Sequence, residues 1–147
     1  MIKRIFALVM AGTLLFTCPV FAGVPTKSEA EAEMYSADAA IQGYKQALDT
    51  CIINEGNTKM ELEWAERRLE DAKKEASAFV RPDGMDKKKA EGIKKNLKKE
   101  VEHAEEYMEY CKKLYKKAID ARSEAEHNLA DAFRDYDNAR AAFSIAK

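Results

Sequence analysis

The chain has 147 residues, 46% of them apolar and 35% charged, with six Gly and three Pro. That is a length for one domain and a composition rich in helix formers, which excludes collagen-like, low-complexity and multidomain organisations. With 25 Lys and Arg against 26 Asp and Glu the formal net charge is −1. No global field draws such a chain to nucleic acid or to an anionic membrane, and a bulk-electrostatic binder is not expected.

Lys3 and Arg4 give the chain a short basic head, and residues 5–20 form an apolar run interrupted by Gly12 and Pro19. The run is too short and too broken for a membrane span, and the pattern is that of a secretory signal peptide over residues 1–22. Val20, Phe21 and Ala22 place permitted residues where a signal peptidase reads them. The alternative, a lipoprotein signal with Cys18 lipidated, has Thr17 where a small residue is expected. The expected product is one helical domain over residues 23–147. It is exported through the inner membrane to the periplasm or cell surface, is mildly acidic, and keeps no membrane span after cleavage.

Beyond Lys27 two stretches have the chemistry of tight turns: Glu55, Gly56 and Asn57, then Arg81, Pro82, Asp83, Gly84 and Met85. They divide the chain into three expected helices, about 28–54, 58–80 and 86–145. Ser28 with Glu31 and Thr58 with Glu61 read as capping boxes, and Asp83 or Asp86 as the cap of the third helix. Apolar positions recur in steps of three and four. In the first segment they are Ala30, Met34, Ala37, Ile41, Tyr44, Leu48 and Cys51, and in the second Leu62, Ala65, Leu69, Ala72, Ala76 and Phe79. In the third they run from Leu97, Val101, Ala104, Met108 and Cys111 to Phe143 and Ala146, with Ala at one position of nearly every heptad. This predicts an all-α fold, an elongated antiparallel three-helix bundle or coiled coil with a long C-terminal helix. The alternative is a four-helix bundle, with Ser123 and Glu126 capping a helix after a break near Ser123.

Four consequences follow from the three-helix plan. Cys51 and Cys111, an even pair in an oxidising compartment, are expected to form a disulfide between parallel first and third helices. The lysines at 87–99 and the acids Glu29, Glu31, Glu33 and Asp38 are expected side by side. Ala125, Leu129, Ala132, Tyr136, Ala139 and Phe143 would extend past the other helices as an uncovered apolar stripe, an interface for a protein partner or for self-association. The turn of Arg81, Pro82, Asp83, Gly84 and Met85 would be an exposed tip.

Candidate chemistry is sparse. Glu100 with His103 and Glu124 with His127 have the Glu-x-x-His spacing of helical dinuclear metal sites, but both pairs fall off the seam and read as solvated faces. There is no zinc-type Cys/His spacing, no Gly-rich phosphate loop and no nucleophile with base and orienting group. The expectation is therefore no enzyme activity, no cofactor, no metal, no small-molecule substrate and no nucleic acid. Trp64 and Tyr110 fall outside the seam and are candidate exposed anchors for a protein partner.

In its plan, a signal ending in Val20, Phe21 and Ala22, three helices with a long third one, and small mature size, the chain resembles the short form of the minor pilus subunit of type IV secretion systems. The resemblance implies a secreted, antigenic virulence protein that caps or lines a pilus, aids translocation and contacts host or recipient cell. Its partners would be other subunits of an envelope assembly. A periplasmic holding chaperone or adaptor of coiled-coil type is the alternative.

Overall fold

The computed structural model of the chain describes residues 25–146. The expected signal peptide, with Cys18 and the cleavage site after Ala22, lies outside the described residues. Those described are all-α: two helices, α1 (Lys27–Ala78, 52 residues) and α2 (Lys87–Ile145, 59 residues), joined by one turn. At 1.5 Å per residue they are about 80 and about 90 Å long.

Local chemistry sets the ends. Thr26 caps α1 in a reciprocal box: its hydroxyl accepts from the Glu29 N–H at 3.3 Å, while its own N–H donates to Glu29 Oε2 at 2.9 Å. The Thr26 hydroxyl also donates to Glu29 Oε2 at 2.7 Å, and this bond, with the backbone one, lowers the pKa of the Glu29 carboxyl. Asp86 caps α2 by accepting from the Lys89 N–H at 3.0 Å. Between the helices the Met85 N–H donates to the Pro82 carbonyl at 3.1 Å. Gly84 has a φ of 81°, in the left-handed region that favours glycine. Arg81 Nε closes the turn by donating to the Met85 carbonyl at 2.7 Å.

The principal correction concerns residues 55–58. Instead of turning, the chain continues as helix through Glu55, Gly56, Asn57 and Thr58, so the expected first and second helices are one. The heptad explains why. Steps of four and three run unbroken from Leu48 and Cys51 through Glu55 and Thr58 to Leu62 and Ala65, so every seam residue stays on the face turned to α2. Gly56 and Asn57 point outward, where helix interior tolerates them at a modest cost. The Thr58 hydroxyl bonds back to the Asn54 and Glu55 carbonyls at 2.9 and 3.1 Å rather than capping a new helix. Likewise α2 passes Ser123 without a break, so the four-helix alternative is not observed either.

The helices run antiparallel. From the open end toward the turn, Lys27 stacks over Phe143, Lys45 over Phe133, Arg122 meets Glu55, Tyr107 meets Glu61, and Lys73 meets Glu105. The core is the seam between them. From α2 come buried Ala90, Ala104, Cys111, Ala118, Ala125, Ala132 and Ala139, and from α1 Ala30, Ile41, Ala65 and Leu69. Half-buried Met34, Leu48 and Leu62 of α1, with Met108, Leu129 and Phe143 of α2, fill the alternate layers. Small residues on α2 let the helices approach closely while the larger side chains interdigitate.

Candidate protein-interaction surface

Beside the seam, Tyr107, Leu114, Ala121 and Asn128 form a half-buried row on α2. Tyr107 is its organising residue. Its hydroxyl donates to Glu61 Oε1 at 2.7 Å, and this hydrogen bond, with burial adding to it, keeps the phenol well above its ordinary pKa. Trp64 meets the Tyr107 ring edge to face at 6.0 Å, with planes 89° apart, and Tyr110 lies beyond at 6.4 Å. The Arg68 guanidinium sits over the indole at 5.5 Å. Trp64 and Tyr110 remain 49% and 54% exposed, and Met60 and Ile53, at helical spacing from Trp64 along α1, are 69% and 64% exposed. An aromatic cluster flanked by Arg, with large apolar side chains in water, is the composition of an interface hot spot. The grooves alongside, past Arg67 and Asp71 and past Glu100 and His103, are shallow and open.

Trp64 and Tyr110 stand outside the seam and exposed, as their register predicts. Tyr107, Arg68 and Glu61 were missed; the signal was the seven-residue spacing of Tyr107 with Leu114 and Ala121, a third row beside the two seam rows. The turn of Arg81, Pro82, Asp83, Gly84 and Met85 forms the tip of the hairpin, exposed except for half-buried Met85.

The expected interface stripe is corrected. Ala125, Ala132 and Ala139 are buried, and Leu129, Tyr136 and Phe143 half-buried, against the N-terminal half of α1. A straight α1 reaches the end of α2, so the stripe has its partner within the chain. The disulfide is corrected for the same reason. Cys51 and Cys111 are both free. Cys111 lies beside Tyr107 and Glu61, which puts Cys51 about ten residues, or about 15 Å, farther along the seam, well beyond disulfide reach. Burial pushes the Cys111 thiol up, with the Tyr107 hydrogen bond opposing. The charge blocks also separate: lysines at 87–99 crowd the tip, and Glu29, Glu31 and Glu33 lie at the opposite end.

His103 and His127 are outward on α2, 3.8 Å from Glu106 and 3.6 Å from Asp131. No group of three or more His, Cys, Asp or Glu able to hold a metal ion occurs among the described residues. None of their helices is long and apolar enough to cross a membrane.

Within the seam one charged pair stands out. Arg122 donates through NH1 to Glu55 Oε2 at 3.1 Å and through Nε to Glu126 Oε1 at 2.8 Å, and these carboxylates raise the guanidinium pKa. A polar pair at facing seam positions specifies register, because a slip of one heptad would leave both charges against apolar layers.

Fold and surface together define a long antiparallel two-helix hairpin with a lateral aromatic patch. Comparison with protein families, with curated proteins and with solved structures finds no match.

Proposed function

We propose that the chain is an exported helical rod serving as a structural or interaction subunit of a cell-envelope assembly, with the surface around Trp64, Tyr107 and Tyr110 as its protein-binding site. The observation that carries this reading is the half-exposed aromatic cluster, in which Tyr107 hydrogen-bonds Glu61 and Arg68 covers the Trp64 ring. Pre-positioned aromatic side chains lose little conformational freedom when a partner covers them. Export rests on the signal pattern of residues 1–22. A minor pilus component of a type IV secretion system is the narrower form of the proposal. Its resemblance used a three-helix plan, of which the long C-terminal helix is the part retained. A holding chaperone needs space between arms, and these two helices are closed on each other along their length.

Fractionation of producing cells tests the reading. The protein is expected in the periplasmic or sheared-surface fraction, within a complex larger than itself. The double variant Trp64→Ala, Tyr110→Ala is expected to leave that complex while keeping its helicity. Retention of the chain in the cytoplasm, or a variant that stays assembled, overturns the proposal.

A further inference from the structure

The rod carries opposite charges at its two ends. Residues 79–99, which form the tip, hold eight Lys and Arg against three Asp and Glu. The open end reverses this: residues 27–49 hold two basic and five acidic groups, and residues 120–146 three basic and six acidic. Within the chain Lys98 pairs with Glu102 at 3.7 Å, one turn along its own helix, but the acidic block of the open end is kept a rod length from the tip by the turn.

The aromatic surface lies off centre, in the tip-proximal half of α1. Its row from Trp64 through Met60 ends at Ile53, next to the midpoint of Lys27–Ala78. In the other half the same side of α1 is lined by Ala40, Gly43, Gln46, Ala47 and Thr50, uncharged and, apart from Gln46, small, with open space beyond the Gly43 Cα. A two-fold axis near Ile53 therefore lays Trp64 of one copy against Gly43 and Ala47 of the other. The same operation places each basic tip against the acidic open end of its neighbour. Bulk meets small residues and positive meets negative, twice over, as an isologous contact requires. A strip about 80 Å long and about 10 Å wide supplies about 800 Å² per copy, the standard size for a stable complex.

From these complementarities we infer that the partner of the Trp64 surface is a second copy of this chain, lying alongside the first in the opposite direction to make an antiparallel four-helix dimer. The inference rests on the reading of that surface as a protein-binding site.

The test uses protein recovered from the producing cell. Sedimentation equilibrium at up to about 100 μM should show a dimer. The dimer should be tighter at about 0.01 M salt than at about 1 M, where screening cuts the Debye length from about 30 to about 3 Å. Carbodiimide coupling should join Lys88 or Lys95 to Glu31 or Asp38. Within one chain these groups are most of a rod length apart, so each such link is between copies. The variant Trp64→Ala, Tyr110→Ala should raise the dissociation constant about tenfold or more with helicity unchanged, which separates side-by-side pairing from end-to-end contact. A monomer throughout, links joining tip to tip, or an unaffected variant overturns the inference. If the protein is monomeric and the variant still leaves its envelope complex, the second copy is refuted and the binding surface stands. If the variant also stays assembled, both fall.

Discussion

Replacing Gly56 by Ala separates a continuous α1 from a chain that turns at residues 55–57. Gly56 lies in the helix interior, outside the left-handed region that Gly84 alone occupies among the described glycines, and an added Cβ would meet nothing within 4 Å. Gly in such a position costs about 1 kcal/mol relative to Ala, through the greater freedom it has in the unfolded chain. Gly56→Ala should therefore stabilise the protein by about 1 kcal/mol, or about 3–5 °C in Tm for a chain of this size. Gly84→Ala is the control. At a φ of 81° the alanine side chain is strained, and the substitution should cost about 1–2 kcal/mol. Thermal unfolding followed by far-UV circular dichroism, at one fixed protein concentration so that any association contributes equally, reads both. A Gly56→Ala variant that melts lower than the parent at a concentration where both are monomeric would refute the continuous helix, because a glycine-requiring turn at that site produces that sign.

Three further expectations follow. Leu129→Asp with Tyr136→Asp places two carboxylates in a seam covered by α1, so helicity and Tm should both fall; a fully helical double mutant would mean that these side chains are not packed there. Without reductant both thiols should accept alkylating agent, half-buried Cys51 well before Cys111, which is 1% exposed and whose thiol pKa is raised by burial; a linked Cys51/Cys111 peptide would contradict the axial offset. In an ultraviolet titration one of the six tyrosines, Tyr107, should ionise only above the ordinary phenol range. Because its folded pKa is raised, the stability it contributes is complete below pH about 10 and declines above it. Glu61→Gln should lower the Tyr107 pKa toward the ordinary phenol value, and an unshifted titration would remove Glu61 as the cause.

The all-α class, the long helix over residues 87–145, the Asp86 cap and the tip at 81–85 were legible because each depends on local chemistry or on a period of seven. The error at residues 55–57 came from weighing turn-forming residue types above register. Glu55 and Thr58 fall in step with Cys51 and Leu62, and a polar residue at a seam position looks like a break although it keeps the register. From that one misjudgement came the disulfide, the adjacent charge blocks and the uncovered stripe, since each depended on a third helix. Trp64 and Tyr110 were visible as aromatics out of phase with the seam. Tyr107 was not, because its partner Glu61 is 46 residues away and only the direction of the second helix brings them together.

A hairpin closed by one turn sets the order in which its layers can form. The pairs nearest residues 79–86 close small loops, whereas Lys27 and Phe143 must wait for nearly the whole chain, so the growing structure zips outward from the turn, each layer shortening the loop left for the next. During synthesis α1 emerges first, its apolar face bare until α2 follows. Pro82 and Gly84 hold the facing helix ends together, and the Glu55–Arg122 pair lies midway between that turn and the acidic open end.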